Sequence, residues 1–283
     1  MNFPLEKFNP FEIGLHPINK KDWLSLNKFD SAHIKNKHRL IKESLQDVYF
    51  VSENYKQEIL DLALTIKDDL IKQESGLHER LNLSLQETGI DSILDNALLV
   101  LSLMVEDDLV ILSPKHDAFK MIGAAVFSPS GWDLKTKQLL DIDAIHSPVP
   151  NYNSLLSQRL KKLLINLPPS KPFERFNWSL YQKSDLYQPS KIKLSNALIL
   201  NSNEDIESLS LRVERQTLYK PDYSDLIIFS IKVTNFPLVE ITSNTLRAKN
   251  FYLALENLSN EMIEYKGLSP GIGMLKNYFK LYL

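Results

Sequence analysis

A histidine flanked by prolines is the residue of this sequence best suited to bind a metal. His146 lies in IHSPVPNY, Ile145 to Tyr152, after the apolar Ile142, Ala144 and Ile145 and before Ser147, Pro148, Val149 and Pro150. Each proline fixes its own φ and restrains the residue before it, so two prolines one residue apart predict a stiff, extended backbone. A histidine on such a segment loses little further freedom when it ligates something, and imidazole nitrogen is a common axial ligand to haem iron. A buried histidine satisfied by the backbone accounts for the same pattern.

Glu214, Arg215 and Gln216 form a second polar group, inside the strand-like run RVERQTL, Arg212 to Leu218. Strand alternation predicts Glu214 and Gln216 on one face and Arg215 on the other. Arginine suits a bidentate grip on a carboxylate, a haem propionate included. A glutamate facing an apolar cavity can accept hydrogen bonds from an amine or move protons. An internal Glu–Arg pair at a sheet edge is the alternative. Arg175, Asn177 and Trp178, in ERFNW, make a third group in which Trp178 either walls a cofactor pocket or belongs to the core.

Other chemistries find less support. The chain has six histidines and no cysteine, which removes disulfides, thiolate metal sites, iron–sulfur clusters and cysteine nucleophiles. His16, His33, His38, His78 and His116 fit surface roles, and none falls into the spacings of a zinc hydrolase. There is no serine-hydrolase elbow. The 8 glycines form no phosphate cradle after a strand. A net charge of −2 leaves no footprint for nucleic acid, and the basic stretch KNKHR, Lys35 to Arg39, reads as a solvated helix face. The N-terminus carries acids and prolines where a signal peptide needs an apolar core. The run Ala97 to Val105 stops at Glu106, Asp107 and Asp108, short of the roughly 20 apolar residues a membrane span needs. A soluble, cytoplasmic protein is expected, with no membrane or nucleic-acid partner.

These groups must be held by a framework that the hydrophobic pattern outlines. Tyr55, Ile59, Leu62, Ala63, Ile66 and Leu70 recur at helical spacing over Ser52 to Lys72, with Ser52 as an expected N-cap. Ser92 to Met104 predicts another helix, and Thr245 to Met262 a closing one. Leu109 to Leu112 with Met121 to Phe127 reads as an antiparallel strand pair. Further strands are expected at Ala197 to Leu200, Leu209 to Thr217, Leu226 to Val233 and Val239 to Thr242. Residues 1–50 read as an N-terminal arm packed on a single domain, 51–283, of the α+β class with an antiparallel sheet.

The chain resembles the haem-dependent oxidative N-demethylases of the DUF3445 family. The resemblance is carried by FEIGLHPINKKDWL, VEDDLVIL, FSPSGWDLKTK, IHSPVPNY, RFNW and RVERQTL followed by LIIFSIKV, from about residue 11 to 270. It implies a PAS-like fold in which an antiparallel sheet and flanking helices enclose haem. It also implies oxidation of a small methylated amine by O2, with release of formaldehyde and electrons from NADPH through a partner reductase. On this resemblance His146 is the axial ligand, Arg175 and Glu214 line the distal oxygen and amine pocket, and Arg215 and Tyr152 anchor the cofactor or shape the site. A PAS-like haem sensor without catalysis, and an interaction module that has lost haem, are the alternatives.

Overall fold

Side chains of both parities are buried along Ser210–Tyr219 and Ile227–Pro237, which requires a sheet covered on both faces. The computed structural model, which describes residues 14–92, 94–115, 118–152, 156–189 and 200–283, provides one. Its strands are β1 (His16–Pro17), β2 (Tyr49–Val51), β3 (Asp108–Lys115), β4 (Ala118–Ala125), β5 (Phe173–Tyr181), β6 (Ser210–Tyr219) and β7 (Ile227–Pro237). They pair antiparallel in the order β1-β5-β6-β7-β3-β4-β2. His116 and most of the strand expected at Ala197 to Leu200 lie outside the described residues, as do Phe3, Phe8 and Phe11.

Near one end of the sheet, α1 (Ala32–Val48), α2 (Lys56–Gln73), α3 (Leu77–Thr88) and α4 (Ala97–Leu103) pack on Leu109, Ile111 and Ile228. All seven residues of α4 are buried, as its unbroken apolar sequence requires. Gly123 lets these helices settle onto β4, since a Cβ there would stand 2.9 Å from Ile59 Cδ1 and 3.3 Å from Leu98 Cδ2. Further along the same face, the helices Thr245–Glu256 and Ile272–Lys280 cover Trp178, Leu211 and Val213. On the opposite face, α5 (Ile142–His146) and α6 (Ser157–Ile165) bring Ile142 and Leu164 against Val110, Leu112, Leu218 and Ile227. The expected α+β class with an antiparallel sheet is what the chain forms. Residues 14–48 join it closely: β1 pairs with β5, and Trp23, Leu24, Leu40, Ile41 and Val48 enter the first core cluster.

Several local expectations change. Ser52 gives no side-chain cap; α2 is preceded by a tight turn, Glu53–Tyr55, and Ser52 spends its backbone N–H on Ile122 O at 2.8 Å. Val239 to Thr242 belongs to a short helical turn after Pro237 rather than a strand. The closing helix is split, with Thr245–Glu256 followed by a separate Asn260–Tyr265 whose N-cap is Ser259. Phe173–Tyr181 forms a full strand, of which the sequence marks only Arg175, Asn177 and Trp178.

The acidic triplet is the largest departure. Glu106, Asp107 and Asp108 are buried, as are Lys37 and His38 of the basic stretch. Lys37 and the three carboxylates each have partners, as burial demands. Lys37 Nζ donates to Ser102 O, Val105 O and Asp107 O at 2.6–3.0 Å. Lys232 pairs with Glu106 at 2.5 Å, and Asp107 accepts from Ser25 N and Ser230 Oγ. Asp108 accepts from the backbone N–H groups of Phe127 and Ser128 at 2.9 and 2.8 Å. The solvated-face reading therefore holds only for the exposed Lys35 and Arg39.

Burial pushes the Asp108 carboxyl up to about 6, against the pull of Lys37 and the two N–H donors. An acid raised on folding holds its proton longer in the native state. Its stabilising contribution is full below the unfolded value of 3.8 and is lost as pH climbs through about 6. Asp108→Asn, which can accept from only one of the two N–H groups, should be less stable at every pH but lack this decline. Urea midpoints between about pH 4 and 6 should show wild type losing ground to the variant as pH rises; parallel curves would refute it.

Candidate active site

β5 and β6 display their polar residues by register. Asn177 stands opposite Glu214, Arg175 opposite Gln216 and Ser179 opposite Arg212. Opposed residues share a face, and Leu218, two positions beyond Gln216, packs in the cluster that holds Ile142 and Leu164. The helix bearing His146 thus covers the face that carries Arg175 and Glu214.

His146 ends α5, and the following chain is not extended as expected. Val149 N donates to His146 O at 2.8 Å and Tyr152 N to Val149 O at 3.2 Å, so the segment turns on itself. The φ that proline imposes suits a turn as well as a strand, and here the turn geometry wins. Asn151, at φ 57°, occupies the left-handed region that asparagine tolerates best after glycine. The reversal lays the Tyr152 ring on the His146 imidazole, with centroids 5.1 Å apart and planes 15° from parallel.

The imidazole tautomer follows from its partner. Nδ1 lies 2.7 Å from Ile142 O, and a carbonyl only accepts, so Nδ1 carries the proton and Nε2 keeps a lone pair. Among the described residues Nε2 has no hydrogen-bond partner. Burial lowers the His146 pKa; Ile142 O opposes that shift, while Arg175 and Lys137 reinforce it. The neutral imidazole that results is the form that ligates metals. A carbonyl acceptor on the far nitrogen is also the usual support of a metal-bound histidine.

Glu214 is 7% exposed. Its Oε2 accepts from Gln216 Nε2 at 2.8 Å and Asn177 Nδ2 at 3.3 Å, while Oε1 takes no hydrogen bond among the described residues. Arg175 retains solvent-accessible area, yet burial lowers its pKa and the Glu214 carboxylate partly restores it. Among the described residues its guanidinium makes no hydrogen bond or ion pair. Arg212 is fully buried and spends its donors on Ser130 Oγ and the carbonyls of Ser128, Pro129, Asp185 and Leu186. Tyr181 and Tyr265 also lie within the field of Glu214, and both are raised, burial being the larger cause.

His146, Tyr152, Arg175 and Glu214 are therefore brought to one face. Arg215 is not. It points through the sheet, where Nε pairs with Glu174 at 2.7 Å and Nη1 and Nη2 donate to Trp23 O and Asp22 O. It ties the N-terminal segment to β6, a purpose that strand alternation alone could not reveal. Trp178 likewise lies in the opposite core, edge-on to Phe251 at 5.2 Å. Gln216, Arg212 and Tyr181 were within reach of the period-two pattern; Lys137 and Tyr265 join through tertiary structure alone. His33 and His38 also depart from surface roles, His33 donating Nε2–H to Val233 O at 2.6 Å and His38 being buried.

The group suits haem on the chemistry of its donors. Haem takes an imidazole nitrogen for its iron from the protein, and Nε2 of His146 would supply it. Its propionates are anions, and Arg175 and Lys137 are the cations whose fields reach His146. Among the described residues no three histidines or carboxylates converge to hold a bare ion, and no helix is long and apolar enough to cross a membrane. Residues 14–271 match a family described as haem-dependent oxidative N-demethylase, alpha subunit-like.

Proposed function

Because the chain belongs to this haem-dependent oxidative N-demethylase, alpha subunit-like family of oxidoreductases, we propose that it binds haem through His146 and demethylates a small methylated amine such as dimethylamine. The observation that carries the reading is the His146 imidazole, its Nδ1–H held by Ile142 O and its Nε2 lone pair unspent among the described residues, over the sheet face that presents Arg175 and Glu214. In this reading the sheet and its helices form a PAS-like enclosure, the arm and residues 51–283 make one unit, and the protein works in the cytoplasm. In the overall balance O2 and two electrons, from NADPH through a partner reductase, convert the N-methyl group to formaldehyde. One oxygen atom leaves in formaldehyde and the other in water.

Bound haem supplies the oxygen chemistry. The protein's own residues bind, orient and transfer protons. His146 would hold the iron through Nε2 when haem is bound. Glu214 keeps its carboxylate aimed because two amides grip Oε2, and Oε1 is left to accept an N–H from the amine. Small alkylamines are cationic at neutral pH, so a carboxylate beside Tyr181 and Tyr265 recognises both the charge and the methyl surface. Arg175 offers unspent donors to the anionic or oxygen side of the pocket.

The test is titration of the purified protein with haem, followed by a formaldehyde assay on dimethylamine with O2 and reductant. Uptake with a Soret band and formaldehyde formation is expected. Uptake without formaldehyde would leave a non-enzymatic haem protein, and no uptake would overturn the proposal.

A further inference from the structure

Asp143 sits one residue into α5 and joins three groups across the turn that follows. Its Oδ1 accepts from Tyr152 Oη at 3.0 Å and from Ser157 Oγ at 2.8 Å, and its Oδ2 pairs with Lys161 of α6. Tyr152 is 3% exposed and lies flat on the His146 ring. We infer that Asp143 is a positioning residue for the ligand histidine, acting through Tyr152 to fix the plane of the imidazole. This rests on the proposed haem ligation by His146.

The geometry leaves the imidazole little choice. Turning the ring about its Cβ–Cγ axis would break the Nδ1–H bond to Ile142 O and tilt the ring out of its stack on Tyr152. Tyr152 cannot follow, because its hydroxyl is tied to the helix that carries His146. The tie closes a short circuit from Asp143 through His146 and Asn151 to Tyr152 and back. Ser157 and Lys161 fasten that circuit to α6. A carboxylate is the fitting hub, since it alone accepts from a phenol, a hydroxyl and an ammonium at once. A merely structural clamp would stabilise the fold. A positioning clamp would also restrict how the ligating nitrogen meets iron.

The experiment uses the haem-loaded protein and two readouts: the iron–histidine stretching band of the ferrous form by resonance Raman, and haem release to an excess of scavenger. Asp143→Ala should broaden or shift the band and speed release about 10–100-fold, the usual effect of losing an outer support of a metal ligand. Tyr152→Phe, which keeps the stack and drops only the hydroxyl, should lie between wild type and Tyr152→Leu. Should Asp143→Ala fail to fold, Asp143→Asn with the two tyrosine variants decides. Folded variants with wild-type band and release rate would overturn the inference. His146→Gly separates the two layers: restoration of the band by added imidazole upholds the ligation, whereas an unaltered band without imidazole would sink the ligation itself.

Discussion

His146→Ala should lose haem affinity by at least about 100-fold, since weakening an outer support alone costs about 10–100-fold. The effect should be confined to the cofactor. His146 is half-buried and among the described residues its side chain makes one hydrogen bond, to a carbonyl of its own helix, worth about 1 kcal/mol net. The variant should therefore unfold near the wild-type urea midpoint while its Soret band is shifted or absent. Spectrophotometric haem titration and a denaturation curve on the same preparation check both halves. Equal haem affinity in wild type and variant would move the ligand elsewhere.

The second large effect is expected at Glu214. Glu214→Gln preserves shape and an oxygen that Asn177 and Gln216 can still reach, but removes the charge that would meet an ammonium and move its proton. The formaldehyde rate should fall about 10²–10⁴-fold, the usual range for a lost acid–base group, with the haem spectrum unchanged. Part of the loss should appear as a raised KM, because the same charge contributes to binding. Glu214→Leu is the poorer probe, since it strands two amide donors in a buried place, costing about 1–3 kcal/mol each. A Gln variant with full turnover would remove Glu214 from the chemistry.

Much of this site was legible because strands and turns are local. Period-two alternation separates Glu214 from Arg215, and the register with β5 bears that separation out. His146 could be singled out because proline is conformationally explicit, yet the same prolines misled, being equally at home in the turn that brings Tyr152 back over the imidazole. What the sequence hides is partnership at a distance. Arg215 meets Trp23 O, 192 positions away. The acidic run at Glu106 to Asp108 looks like a solvated stop to an apolar helix, and becomes interior because Lys37 and Lys232 arrive from α1 and β7. Trp178 belongs to a core built largely by the C-terminal helices. No periodicity in ERFNW distinguishes that fate from a pocket wall.

The two-sided character of β6 also governs how this gene can change length. Consecutive positions serve opposite tasks: Glu214 lies on the face that α5 and α6 cover and Arg215 braces the N-terminal segment. Deleting or inserting one codon within Ser210–Tyr219 would exchange between faces every strand side chain on one side of the change. Where the shifted part includes Glu214 and Arg215, a guanidinium would turn to the face that α5 covers and a carboxylate would be pressed against the carbonyls of Asp22 and Trp23. The connection between β6 and β7 carries no such constraint, for Asp222, Tyr223 and Asp225 are exposed. Natural length variation in this part of the chain should therefore gather at positions 221–225 and be absent from the strand two residues upstream.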